Sequence, residues 1–194
     1  MYFCENYSNM NFDEYLSYFE DILNNTEKYE AYSTNADYLN YTKLNWSRMN
    51  RWLKKFEPSA EMKVCIENIK DPQHWILITE PWCGDAAHSV AQIYNIVKDN
   101  PLIDLDIQLR DTEPFLIDDY LTNGGKSIPK LIIRNEVGHD KVVWGPRPDA
   151  LQKIFETLKS EEKPIDEIKE VIQRWYNEDK GDEIQKELIA LLTQ

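Results

Sequence analysis

Trp75-Ile76-Leu77-Ile78-Thr79-Glu80-Pro81-Trp82-Cys83-Gly84-Asp85-Ala86-Ala87 is the stretch on which the reading of this chain turns. The apolar run Trp75–Thr79 reads as a buried strand, and the segment from Ala86 to Lys98 as an amphipathic helix. Between them a Trp-Cys-Gly turn joins a strand end to a helix start. That geometry sets the Cys83 sulfur beside unpaired backbone N–H groups and the positive end of a helix dipole. A thiol so placed is biased toward the reactive thiolate, so the stretch predicts thiol chemistry at Cys83.

Strand and helix patterns continue outward on the C-terminal side. Ile103 to Leu109 is a second strand. Arg110-Asp111-Thr112-Glu113-Pro114 predicts a helix start, with Phe115, Leu116, Tyr120 and Leu121 as its apolar side and Asn123-Gly124-Gly125 as its end. Ser127-Ile128-Pro129 precedes a third strand, Lys130 to Arg134. A turn at Glu136–His139 leads to a fourth, Lys141 to Trp144, in an antiparallel hairpin. Gly145-Pro146-Arg147-Pro148 opens a helix striped by Leu151, Ile154, Phe155 and Leu158.

On the N-terminal side the patterns are helical. Asn11 with Glu14 reads as a capping box before the stripe Phe12, Tyr15, Leu16, Phe19, Ile22, Leu23. A second helix runs from about Asp37 to Phe56. It carries Arg48, Arg51, Lys54 and Lys55, for which a solvated face is the preferred reading. The sharper alternative aims Arg48 or Arg51 at the thiolate or an anionic ligand. Ser59 caps a third helix, whose apolar stripe includes Cys65 and makes it an inert core thiol. After Lys163 two more amphipathic helices are expected, the first through Ile165, Ile168, Ile172 and Trp175, the second through Ile184, Leu188 and Leu191. They either pack on the domain or form a partner surface.

The chain has 194 residues, with a formal net charge of −13. That balance argues against nucleic acid or an anionic membrane as partner. No apolar run reaches membrane-spanning length and no secretory signal is visible. Three cysteines, Cys4, Cys65 and Cys83, make no disulfide framework and point to a reducing cytoplasm. His74, His88 and His139 lie too far apart in sequence for zinc-ligand spacing, so no metal and no cofactor is expected.

The ordered set of elements, with Trp82-Cys83-Gly84 heading a helix, Ile128-Pro129 before the third strand and Gly145 after the fourth, resembles the thioredoxin superfamily. The whole chain is also similar to a bacterial group of thioredoxin-like proteins of unassigned activity. That group shares Glu-Pro-Trp-Cys-Gly-Asp, Asn-Gly-Gly-x-Ser-Ile-Pro-Lys, Trp-Gly-Pro-Arg-Pro and Arg-Trp-Tyr segments, which stand here at 80–85, 123–130, 144–148 and 174–176. The resemblance implies an α/β thioredoxin fold, a central mixed sheet of about four strands flanked by helices. Its implied division is a helical N-terminal extension at 1–71, a thioredoxin-like domain at 72–160 and a C-terminal helical extension at 161–194.

The resemblance also implies roles. Cys83 is the attacking thiol, and Trp82, Gly84, Asp85, Ile128, Pro129 and Arg147 form the substrate groove. Ile128-Pro129 occupies the cis-proline position, where Ile128 offers its backbone to an extended peptide. The pattern departs where thioredoxins place their second cysteine, because Ala86 stands there. Leu77 and Ile107 occupy the places of a buried acid and a buried lysine. A dithiol cycle needs a second thiol one helical turn on.

The leading expectation is therefore a cytoplasmic monothiol that forms mixed disulfides with a protein or small-molecule thiol, an atypical thiol–disulfide oxidoreductase at most. The rival is a non-catalytic peptide-binding or interaction module, and a structural role through the extensions comes third. Asp85 is read as disfavouring the thiolate or as a helix cap. His88 is read as a surface or groove residue, and Cys4 as a conceivable resolving thiol.

Overall fold

Residues 9–193 are described by a computed structural model. Strand β1 (Gln73–Thr79) is central in a four-stranded sheet of order β2-β1-β3-β4, with β2 at Ile103–Leu109, β3 at Lys130–Asn135 and β4 at Asp140–Trp144. β2 runs parallel to β1, with Leu77 opposite Ile107. β3 is antiparallel to β1, with Leu77 opposite Leu131, and β4 is antiparallel to β3. A strand paired on both edges and covered on both faces reads as a continuous apolar run. Accordingly Trp75 through Thr79 are all buried.

The β1-to-β2 crossover is helix α5 (Ala86–Val97). All its residues except Tyr94 are buried. Such a helix is enclosed rather than half-wet, so its polar residues need partners. Asn95 finds them in helix α3 (Ala36–Lys55) and at the residue that closes it, donating to the Trp52 and Phe56 carbonyls at 3.3 and 3.4 Å.

The N-terminal helices share this core. α1 (Phe12–Asn24) begins with the expected capping box, Asn11 Oδ1 accepting from the Glu14 N–H and Glu14 from the Asn11 N–H. Its Phe12, Tyr15 and Phe19 belong to the sheet's own apolar cluster. After a short turn, α2 (Glu30–Ser33), which the sequence did not announce, leads to α3 (Ala36–Lys55) and α4 (Ala60–Glu67), capped by Ser59. Cys65 is half-buried on α4 and Cys4 lies outside the described residues.

Beyond the sheet come α6 (Asp149–Ser160), α7 (Ile165–Asp179) and α8 (Asp182–Leu192). Ile184 and Leu188 of α8 join the main core. α6 and α7 build a second cluster from Leu151, Ile168, Ile172 and Tyr176. Ile165, expected in that stripe, is 58% exposed. This is the thioredoxin arrangement, a mixed sheet flanked by helices with helical segments at both ends.

One expected helix is absent. Residues 111–121 form a turn followed by a 3₁₀ segment, Leu116–Asp119. Phe115 sits in the left-handed region at φ 56°, which an α-helix of L-residues does not accommodate. The Ile128–Pro129 and Gly145–Pro146 peptides are both cis.

Gly145 fixes how the end of β4 passes the start of β3. Its φ is +107°, and a Cβ there would lie 2.3 Å from the Pro129 carbonyl oxygen. Gly145→Ala is expected to cost about 3 kcal/mol or more, through backbone strain and a clash with main chain. Urea unfolding with an unchanged m-value checks this; a loss under 1 kcal/mol would contradict the close approach.

Candidate thiol and ligand-binding site

The turn after β1 is held from below and from the side. The Cys83 N–H donates to the Glu80 carbonyl at 3.0 Å. From α3, the buried Asn45 amide donates to the Pro81 carbonyl at 3.0 Å, and Arg48 Nη1 donates to Asn45 Oδ1 at 3.0 Å. The turn is therefore anchored to a helix roughly 35 residues earlier in sequence.

Cys83 is only 8% exposed, and its Sγ–H donates to the Ile128 carbonyl at 3.3 Å. The structure thus brings Cys83 and the Ile128–Pro129 segment together. The expected bias toward thiolate is reversed, because burial pushes the thiol up to about 12, with the Asp85 carboxylate adding to the rise. The Ala86 and Asp85 backbone N–H groups and the Arg147 guanidinium pull the other way. The helix-terminus effect is present, but desolvation outweighs it.

Asp85 does not cap α5 with its side chain. It pairs with Arg147 Nη2 at 2.7 Å and accepts the Tyr176 hydroxyl at 3.0 Å. Burial raises its carboxyl and the Arg147 charge draws it back. Arg147 also lies over the Phe155 ring, its guanidinium carbon 4.2 Å from the centroid. The β4–α6 turn thus meets the cysteine turn through an ion pair.

His88 is not a surface or groove residue but fully buried. Its Nδ1 accepts from Trp52 Nε1 at 2.8 Å, so Nε2 carries the proton and donates to Gln173 Oε1 at 3.0 Å. Burial holds its pKa down to about 3, so the ring is a neutral connector. Tyr176 stacks on it at 4.2 Å between centroids.

Trp82 stacks on Tyr38 at 4.9 Å, and the Arg110 guanidinium carbon lies 4.6 Å from the indole centroid. Gly84 lies open beneath Arg48 and Gln173. A cleft of about 640 Å³ spans these groups, bordered by Trp82, Cys83, Gly84, Asp85, Ile128 and Arg147 among others. Of the predicted site residues only Pro129 does not border it. Arg48 is half-buried at the cleft, so the solvated-face reading fails for it. Arg51 is exposed and bonds Asn177 instead.

Several residues of the site were not singled out in the sequence. Asn45, Gln173 and Tyr176 are polar or amphipathic residues within helix stripes, and an Asn on a buried face was the available signal for the first. Glu80 was quoted as part of the motif and given no role. It is buried, accepts the Asp111 N–H at 3.0 Å, and burial raises its carboxyl to about 7. A trio of His74, Asp104 and Asp106 converges from β1 and β2, with His74 Nε2 2.6 Å from Asp106 Oδ2. It lies at the opposite end of β1 from Cys83 and was invisible to sequence spacing because the residues meet across strands.

Over residues 31–160 the chain matches the family model described as thioredoxin. The chain belongs to the thioredoxin family. The match takes in α3 and α4 as well as the sheet, so this member's family region includes the helix that anchors the cysteine turn. A crystal structure of a protein of unknown function from Pseudomonas aeruginosa, PA1234, is similar with a TM-score of 0.56 at 15% identity, covering 77% of this chain and 84% of that one. An HIV epitope scaffold is similar with a TM-score of 0.57 at 14% identity, over 77% and 85%. At these identities the likeness is one of fold. No curated protein matches the sequence. Among the described residues of this thioredoxin-family chain, no helix is long and apolar enough to cross a membrane.

The Glu80 carboxyl titrates near 7 in the fold against an ordinary 4.5. The folded state then holds the proton more tightly, so this group's contribution to stability falls as pH rises between those values. Glu80→Gln keeps an acceptor for the Asp111 N–H. It is expected to raise Tm relative to the native chain at pH 8 and to leave it nearly unchanged at pH 5. Equal Tm differences at both pH values would show that Glu80 ionises without cost.

Proposed function

We propose that this thioredoxin-family protein is a binding protein whose cleft receives a peptide or small thiol-bearing molecule, with Cys83 as a latent rather than a resting nucleophile. One observation carries the reading. The Cys83 thiol borders a cleft of about 640 Å³ yet is spent as a donor to the Ile128 carbonyl. A concave site with few convergent polar groups suits ligand capture. A resting catalyst would instead need a substantial thiolate fraction near neutral pH.

Monothiol exchange is the second reading, favoured by the Asp85 and Ala86 N–H groups and Arg147, all of which stabilise the thiolate. In that reaction Cys83 loses its proton and attacks a small disulfide. The sulfur–sulfur bond of the disulfide breaks, a Cys83 mixed disulfide forms, and the departing thiolate takes up a proton. A second external thiol then displaces the adduct and restores the Cys83 thiol. With Ala86 in the place of a second cysteine, no thiol stands one helical turn from Cys83 for that second step. A reducing, cytoplasmic setting supplies such thiols.

Alkylation by iodoacetamide, followed at each cysteine by peptide mass spectrometry from pH 6 to 10, separates the two. Cys83 is expected to label more slowly than Cys65 at pH 7 and to be still accelerating at pH 10. Labelling faster than free cysteine at neutral pH would end the binding reading in favour of exchange.

A further inference from the structure

The lining of the cleft is rich in cations although the protein is acidic. The chain carries 22 Lys and Arg against 35 Asp and Glu. Yet the cleft is lined by Arg48, Arg110, Lys126, Arg147 and Lys169 against only Asp37 and Asp85. Four of the five cations have acidic partners. Arg147 holds Asp85, Arg110 holds Asp111, Lys126 holds Asp118 and Lys169 holds Asp166. Arg48 alone has no carboxylate within salt-bridge distance among the described residues. Its hydrogen bond is to the neutral Asn45 amide. Burial and the neighbouring Arg51 charge both work against its cation. A half-buried guanidinium left without a counter-charge is costly, and an arriving anion relieves that cost.

A second donor stands beside it. A Cβ built on Gly84 would lie 3.7 Å from Gln173 Nε2 and 4.0 Å from Arg48 Nη1, so both nitrogens overlook the same bare Cα. The orientation of Gln173 is not free. Its Oε1 accepts from the His88 ring, whose tautomer is set by Trp52, so the amide must present its N–H₂ end to the cleft. No acceptor for that N–H₂ is found among the described residues. Two donor-only groups therefore converge, one charged, next to the residue that follows Cys83. Glycine at 84 keeps the space between them and the turn unfilled.

We infer that Arg48 and Gln173 form an oxyanion-binding subsite over Gly84, and that the cleft's ligand is a small molecule carrying a carboxylate or equivalent oxyanion. This rests on the reading of the cleft as a binding site and does not require Cys83 to react. Charge-assisted bonds from a guanidinium fix an oxyanion geometrically as well as electrostatically. The walls supplied by α3 and α7 make the cleft a pocket of small-molecule size.

Amide chemical shifts of the ¹⁵N-labelled Cys83→Ser chain, read at Gly84, Asp85 and Ile128 at constant ionic strength, test it. The probes are succinate, inorganic phosphate and the neutral isostere succinamide. Succinate or phosphate is expected to shift these amides saturably and succinamide to leave them unmoved; the stronger of the two anions tells carboxylate from phosphate ligands. Arg48→Gln is expected to weaken binding about ten-fold, the scale of one charge-assisted hydrogen bond. Gln173→Glu keeps the acceptor for His88 while replacing the donor by a carboxylate, and is expected to abolish binding with Tm retained. Equal shifts from succinamide, no shift from either anion, or unaltered affinity in both variants would overturn the subsite. Fast alkylation of Cys83 would overturn the binding reading while leaving this result standing.

Discussion

A neutral imidazole holds the three helices around the site in register. His88 on α5 accepts from Trp52 on α3 and donates to Gln173 on α7, while Tyr176 covers its face. Each bond needs the others, because a buried ring nitrogen without a partner costs more than the bond itself gains. Apolar packing alone would let α3 and α7 slide against the sheet. The directional chain through His88 fixes their azimuth, and with it the positions of Arg48 and Gln173 over the cysteine turn.

At Cys83 two opposing effects of the same fold meet. The turn aims backbone N–H groups at the sulfur, as any strand-to-helix junction of this kind does. Burial of the sulfur removes the water a thiolate would need, and Asp85 adds a negative charge nearby. The second effect wins. Asp85 is paired with Arg147 and hydrogen-bonded by Tyr176, so the ion pair ties the β4–α6 turn to the cysteine turn without making the thiol acidic.

Much of the fold was legible because it depends on local rules. The Asn11 capping box, the buried run of β1, the Ser59 cap and the antiparallel β3–β4 pair all appear where periodicity and caps placed them. Two departures stand out: α2 was not announced, and the missing helix after Arg110 turns on a left-handed Phe115 that no propensity forecasts. The site was legible in part. Cys83, Trp82, Asp85, Ile128 and Arg147 are close in space, as the resemblance implied. What stayed hidden was long-range. Gln173 stands 85 residues from His88, and Tyr176 stands 91 from Asp85. Desolvation of Cys83 depends on neighbours from several elements, so a dipole argument from the turn alone gave the wrong sign.

The two apolar clusters divide the cleft between them. Cys83, Ile128 and Trp82 stand on the main cluster, whereas Ile168, Ile172 and Phe155 stand on the one built by α6 and α7. The clusters meet at Tyr176, which stacks on His88 and donates to Asp85, and effects of substitutions at contacting sites do not simply add. A change within the buried α6–α7 cluster therefore reaches the cysteine turn through Tyr176, whereas the exposed turns of α7 can vary without disturbing that contact.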